Sequence, residues 1–344
     1  MGYSRNGYVC DREYERYYTH PECLWMSLRR TFRDLENPKA LRGATAQWVL
    51  KKMCSNRRYG IKDIKEGEFD VFHPTYYDPY FLKELGDRSF VLTIYDMIHE
   101  RFSAEGGTDR TITNKRRLAE RADRIIAISE STKKDVVELL NVPASKVYVT
   151  HLAGSIAPPK DGERPKSLPR RYMVQVGNRA GYKNFAFMLD ALEEVFERDP
   201  DMHLVCVGGV PFTAEERIMI ERSRGRGRII RVSVPDDELA LIFSNALVYI
   251  NPSQYEGFGI PLLEAMTCGC PTLVCRVSSL PEVGGSASRY FELNDRDSFL
   301  DALTPILEDE GIRDKMRHDG QDQAATFSWA KTARMTKDVY RSLM

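Results

Sequence analysis

A chain of 344 residues has room for two domains with separate cores, and 42% hydrophobic against 29% charged residues is the balance of a folded protein rather than a disordered one. Lys and Arg total 50 and Asp and Glu total 50, so bulk charge gives no reason to expect nucleic acid as a partner. No apolar run reaches the roughly 18 residues that span a bilayer, the start MGYSRNGYVC lacks a signal-peptide core and fails the myristoylation pattern, and seven cysteines without a C-x-x-C pair fit reduced thiols in a cytoplasmic protein.

Residues 1–66 carry 14 Lys or Arg against 8 Asp or Glu. Within them Cys23–Leu35 has a helical stripe of Leu24, Leu28, Phe32 and Leu35 beside Arg29, Arg30 and Arg33. Packing on its own domain is the simpler expectation for such a helix; peripheral contact with an anionic membrane, on the inner face, is the other.

From residue 69 onward short apolar runs alternate with helical patterns. Strands are expected at FDVFH (69–73), FVLTI (90–94), RIIAIS (124–129) and KVYVT (146–150), with helices over Asn114–Arg121 and Glu130–Leu140 between them. Ser129 or Ser131 suits the cap of the second helix. The stretch 156–171 is rich in proline and charge and has no period, as a linker does. The same grammar restarts with strands at 172–177, 203–209, 228–233, 247–253 and 271–276, and helices near 184–198, 236–245, 261–268 and 296–308. An α/β fold follows, with two Rossmann-like domains facing across a cleft and ligands expected at the carboxyl ends of the strands. The divisions are 1–155, with 1–65 atypical, then the linker, then 172–326, then a closing segment 327–344.

Two loops carry chemistry. VGNRAGYKN (176–184) follows a strand, and in it Arg179 and Lys183 bracket a turn with Gly177 and Gly181; a guanidinium fork and an ammonium suit phosphate oxygens. NPSQYEGFGIPLLEAMTCG (251–269) leaves another strand, passes Glu256, Gly257, Phe258, Gly259 and Ile260, and enters a helix at Pro261. The N–H groups of Gly257–Ile260 then form an anion site at a helix start. Glu264, in the first turn, suits paired sugar hydroxyls better than phosphate.

The segment Tyr255–Pro271 with SSLPEVGG (278–285) resembles the donor site of family 4 glycosyltransferases, retaining enzymes of the GT-B fold that use nucleotide sugars. VGNRAGYKNF resembles that family's phosphate loop and FSWAKTARMTKDVY (327–340) its closing segment, so the likeness covers roughly 69–344. It implies that Glu256 contacts the donor sugar, Glu264 the ribose hydroxyls, and Arg179 and Lys183 the diphosphate, with no cofactor and no metal. Arg179 sits one place later than in many relatives. The closing segment is expected to cross back to the first domain. That domain would hold a saccharide or lipid-linked acceptor, with His73, Tyr76 and Tyr77 after one strand and Asp96 and His99 after another, the last two facing the donor sugar. A UDP-sugar is slightly favoured over GDP-mannose. Relatives open with a strand and a glycine-rich loop, and residues 1–65 offer neither, so the N-terminal domain is expected to be incomplete or differently built. Competing functions are a glycoside hydrolase, argued against by the helix position of Glu264 beside a phosphate site, an epimerase, argued against by the E-x7-E block, and a non-catalytic nucleotide-sugar-binding remnant.

Overall fold

A computed structural model describes residues 2–4, 7–10, 57, 59–103, 109–159 and 168–344. The helix expected over 23–35 lies outside the described residues.

The C-terminal half is built on six parallel strands: β7 (Tyr172–Val176), β8 (His203–Val207), β9 (Ile229–Val232), β10 (Val248–Asn251), β11 (Thr272–Cys275) and β12 (Arg289–Phe291), in the spatial order β12-β11-β10-β7-β8-β9. Its central strands are apolar on both faces because helices cover both. Along β7, Tyr172 and Val174 join one core with Phe243, Leu262 and Met266, whereas Met173 joins the other with Phe185, Leu189 and Phe299. The strand order reverses between β7 and β10. In an open α/β sheet that reversal leaves a crevice at the carboxyl ends of the two strands.

The N-terminal half has two smaller sheets. Strands β4 (Val91–Ile94), β5 (Arg124–Ala127) and β6 (Val147–Val149) run parallel, and β3 (Val71–Pro74) approaches β4 through a parallel bridge from Phe72 to Phe90. On the far side of β3 lies an antiparallel hairpin, β1 (Gly2–Ser4) and β2 (Gly7–Cys10). The N-terminal segment therefore does supply strands, which the sequence did not reveal because its short glycine-containing stretches are too brief to show an apolar period; their antiparallel pairing makes this half differently built, one of the two alternatives expected.

The last helix, Trp329–Arg341, returns to this half, where Val339 and Tyr340 pack with Val71, Val91 and Ile126. Cys206, Cys268, Cys270 and Cys275 are buried free thiols. Among the described residues no helix is long and apolar enough to cross a membrane.

Candidate active site

The crevice between β7 and β10 is lined by the two loops that leave those strands. After β7, Gly177 at φ 103 turns the chain, and a 3-10 turn, Gly181–Lys183, ends at Asn184, which is left-handed at φ 56. After β10, the Ser253 amide donates to Asn251 Oδ1 at 3.0 Å, folding the loop back, and the Gln254 amide donates to the Tyr182 carbonyl at 2.7 Å. The loops are thereby tied together, and Lys183 Nζ donates to Glu256 Oε1 at 2.7 Å. Ser253 Oγ donates to the same oxygen at 2.7 Å and Asn251 Nδ2 at 3.4 Å. The Glu256 backbone is also held: its amide donates to Ser278 Oγ at 2.8 Å, and its carbonyl accepts from Ser279 Oγ at 2.9 Å. Burial acts to lower the Lys183 pKa, but the Glu256 carboxylate and the Tyr182 phenol outweigh it, and the net shift is upward. Lys183 thus stays a cation inside the crevice.

Gly259, at φ 98, sets the start of the helix Ile260–Thr267, and its carbonyl accepts the Leu262 amide at 3.0 Å. The Gly259 and Ile260 amides precede that first turn, at the positive end of the helix dipole. Phe258 contributes backbone only: its ring is buried against His151 and Phe327. Glu264 is half-buried on the same helix, beside Gly154 of the N-terminal half; a Cβ at Gly154 would lie 3.5 Å from Glu264 Cγ.

Arg179 is not in this crevice. Its side chain is 1% exposed, Nε donates to Glu216 Oε1 at 2.9 Å and Nη2 to the Val210 carbonyl at 2.6 Å, and the guanidinium lies over the Phe212 ring at 4.8 Å. Glu216 also closes a capping box with Thr213 at the head of the helix Ala214–Arg222, so the ion pair anchors that helix to the loop after β7. Nη1 is left buried without a hydrogen-bond partner, but a guanidinium enclosed in this way presents no open fork to a diphosphate.

The N-terminal half meets Glu256 through the loop after β4. A Cβ on Gly257 would overlap the Tyr95 carbonyl oxygen and stand 3.0 Å from Asp96 Cβ, so only glycine allows the two loops to touch. Asp96 accepts the Ile98 amide at 3.1 Å, turning the chain into the helix Ile98–Phe102, and its carbonyl accepts from the buried Lys115 ammonium at 2.8 Å. The Tyr182 phenol is pushed up by burial and then, against the pull of Lys183, by the carboxylates of Glu256 and Asp96, which places all four groups in one electrostatic neighbourhood. His99 is partly exposed, with Nε2 3.9 Å from Asp109 Oδ2. Tyr76 is 59% exposed and its ring lies tilted against Tyr77, with centroids 4.8 Å apart.

Two residues expected on the acceptor side are instead part of the core. Tyr77 is buried, and its hydroxyl accepts the Tyr95 amide at 2.9 Å. His73 is buried with both ring nitrogens engaged, Nδ1 with the Tyr340 hydroxyl at 2.6 Å and Nε2 with Thr93 Oγ1 at 2.8 Å. Burial lowers its pKa to about 4, so it is neutral and fastens the last helix to β3.

The seam between the halves uses residues that the sequence did not single out for this purpose. Ser129 Oγ and Thr132 Oγ1 donate to the Gly257 carbonyl at 2.8 and 3.1 Å. Glu282 accepts the Glu130 amide at 2.8 Å and pairs with His151 Nε2 at 2.5 Å. Such long-range partners leave no local pattern.

These two α/β units, with a cation and a carboxylate joined at the switch point of the second sheet, have the architecture of a GT-B glycosyltransferase. The chain belongs to the family 4 glycosyltransferases: residues 26–153 match the model described as Glycosyltransferase Family 4, and residues 159–323 the one described as Glycosyl transferases group 1. It is 27% identical over 300 residues to the O-antigen chain mannosyltransferase B of Escherichia coli, covering 83% of this chain and 77% of that protein. It is 29% identical over 265 residues to the serotype-specific mannosyltransferase WbdA of Escherichia coli; the match covers 71% of this chain and spans only 32% of that longer protein. The fold is shared with Anabaena HepE, solved in complex with UDP and glucose, at a TM-score of 0.69 and 16% identity over 86% of this chain and 82% of that one.

Proposed function

We propose that this glycosyltransferase moves a hexose, with mannose favoured, from a nucleotide sugar to a saccharide or lipid-linked acceptor in polysaccharide assembly, with retention at the anomeric carbon. The observation that carries the donor site is the 2.7 Å contact between Lys183 Nζ and Glu256 Oε1 at the switch point, next to an open helix start. The mannosyltransferase names of the relatives favour a mannosyl donor and hence GDP-mannose. The fold neighbour that holds UDP and glucose supports a second reading, a UDP-hexose.

In this proposal Lys183 and the Gly257–Ile260 amides take the diphosphate, Glu256 the donor sugar and Glu264 the ribose hydroxyls. The bond from the anomeric carbon to the phosphate oxygen breaks as negative charge grows on the leaving group. Preorganised positive groups stabilise that charge without reorganising, and the reaction is proposed to need no metal. The acceptor oxygen bonds to the same face, and its proton passes to the departing phosphate oxygen. Asp96, His99 and the exposed Tyr76 are the acceptor-side groups.

The test is to incubate the protein with GDP-mannose, UDP-glucose and UDP-N-acetylglucosamine beside mannose-containing oligosaccharides, and to follow product by mass spectrometry and its anomeric coupling by NMR. An α-linked product from an α-linked donor supports the proposal. Donor binding without transfer to any acceptor would support the non-catalytic remnant, and a β-linked product would exclude retention.

A further inference from the structure

We infer that Ser253 and Asn251 are positioning residues that decide which oxygen of Glu256 meets the donor sugar; the inference rests on the donor site proposed above. Lys183 Nζ and Ser253 Oγ, each at 2.7 Å, take the two lone pairs of Oε1, and Asn251 Nδ2 stands beside them at 3.4 Å, close enough to take the place the ammonium leaves. Among the described residues none reaches Oε2, which is not among the buried unpaired atoms and so meets solvent. Ser253 and Asn251 are 1% and 5% exposed. Buried polar side chains are tolerated where they bond; these two engage the Glu256 carboxylate and each other, through the Ser253 amide and Asn251 Oδ1 at 3.0 Å, and Asn251 is further fixed by the buried Tyr249 phenol. Ser278 and Ser279 fix the Glu256 backbone, so the residue is held at its main chain and at one carboxylate oxygen.

The arrangement resolves a conflict within the site. Lys183 is needed by two anions, the glutamate present now and the diphosphate that arrives. If Glu256 depended on Lys183 alone, its carboxylate would follow the ammonium toward the phosphates and repel them. Ser253 and Asn251 keep Oε1 occupied when the ammonium turns away, and Oε2 remains aimed at groups that donate hydrogen bonds without carrying charge. A carboxylate oxygen accepts two such bonds, which suits a pair of neighbouring sugar hydroxyls.

The experiment compares Ser253→Ala with the wild type by calorimetry, using GDP and GDP-mannose, or UDP and UDP-glucose if the uridine nucleotides are the ones that bind. The expected result is that affinity for the sugar nucleotide falls about tenfold, as for loss of one hydrogen bond to a charged group, while affinity for the diphosphate stays within about twofold. Ser253→Cys keeps the volume but donates weakly, so it moves the same way and stands in if the alanine variant fails to fold. In a Glu256→Ala background, which removes the acceptor altogether, Ser253→Ala adds nothing further, because it acts through that carboxylate. A parallel fall in both affinities, no change in either, or a full additional loss in the Glu256→Ala background would overturn the inference while leaving the donor site standing. A wild-type protein that binds neither diphosphate would instead remove the donor site, and the inference with it.

Discussion

Tyr255 and Asp135 join across the seam: the phenol donates to Asp135 Oδ2 at 2.7 Å and accepts the Met97 amide at 3.3 Å. Burial, and then Asp135, push the phenol's pKa far up, so it stays a donor at any working pH. Tyr255→Phe removes that donor and leaves the Met97 amide unpaired, with Asp135 held by Arg101 alone. Denaturant unfolding should show a loss of about 1–3 kcal/mol; no change would mean that the halves do not rely on this contact.

Gly257→Ala should act on transfer more than on binding. The added methyl would overlap the Tyr95 carbonyl, a backbone atom that gives way only if the halves part. The donor loop itself tolerates the substitution, since no positive φ is recorded at Gly257. We expect transfer to fall by about 10²-fold, the scale of an ångström's misplacement, with diphosphate affinity nearly kept. Calorimetry beside an initial-rate assay would separate the two effects.

His73 predicts an acid-sensitive fold. Its pKa drops from the ordinary 6.5 to about 4 through burial, so between those values the unfolded chain binds a proton that the native chain refuses. Stability is therefore flat above this window and falls as the pH is lowered through it, by up to roughly 3 kcal/mol in total. His73→Gln cannot titrate, and its denaturation midpoint should lose that part of the slope.

Arg179 was expected to bind the donor and predicts a stability effect instead. Removing one partner of a buried pair strands the other charge, at a typical cost of about 3–5 kcal/mol. Arg179→Ala should thus lower the melting temperature while the folded fraction binds diphosphate normally. A large loss of diphosphate affinity with unchanged stability would contradict the placement.

What was legible in the sequence was local. β7 and β10 are runs apolar enough for a doubly covered sheet, and Gly259 before Pro261 marks a helix start that needs a positive φ and no N–H. Lys183 and Glu256 each follow such a strand, so the rule that ligands sit at the carboxyl ends of strands placed both at one end of the sheet, and the family resemblance gave each its role; that their strands are neighbours at the switch point was not legible. What was hidden was settled by partners far along the chain. Arg179 is claimed by Glu216, 37 residues on, and His73 by Tyr340, 267 residues on. Both are polar residues near the carboxyl end of a strand, His73 within it and Arg179 just after it, where function and packing look alike. The edge strand Arg289–Phe291 has three residues, and the helices Ala214–Arg222 and Glu310–Ala325 carry charged residues through much of their length, so periodicity passed them over.

The central claim is that Lys183, at the β7–β10 switch point, grips the diphosphate of a nucleotide sugar. Titration calorimetry of GDP and UDP into the wild type and Lys183→Ala tests it most directly. The account predicts that one of the two binds the wild type, that its affinity weakens with salt as an ion pair should, and that the alanine variant binds at least about tenfold more weakly. Equal affinity in the two proteins, or no binding by the wild type, would contradict it.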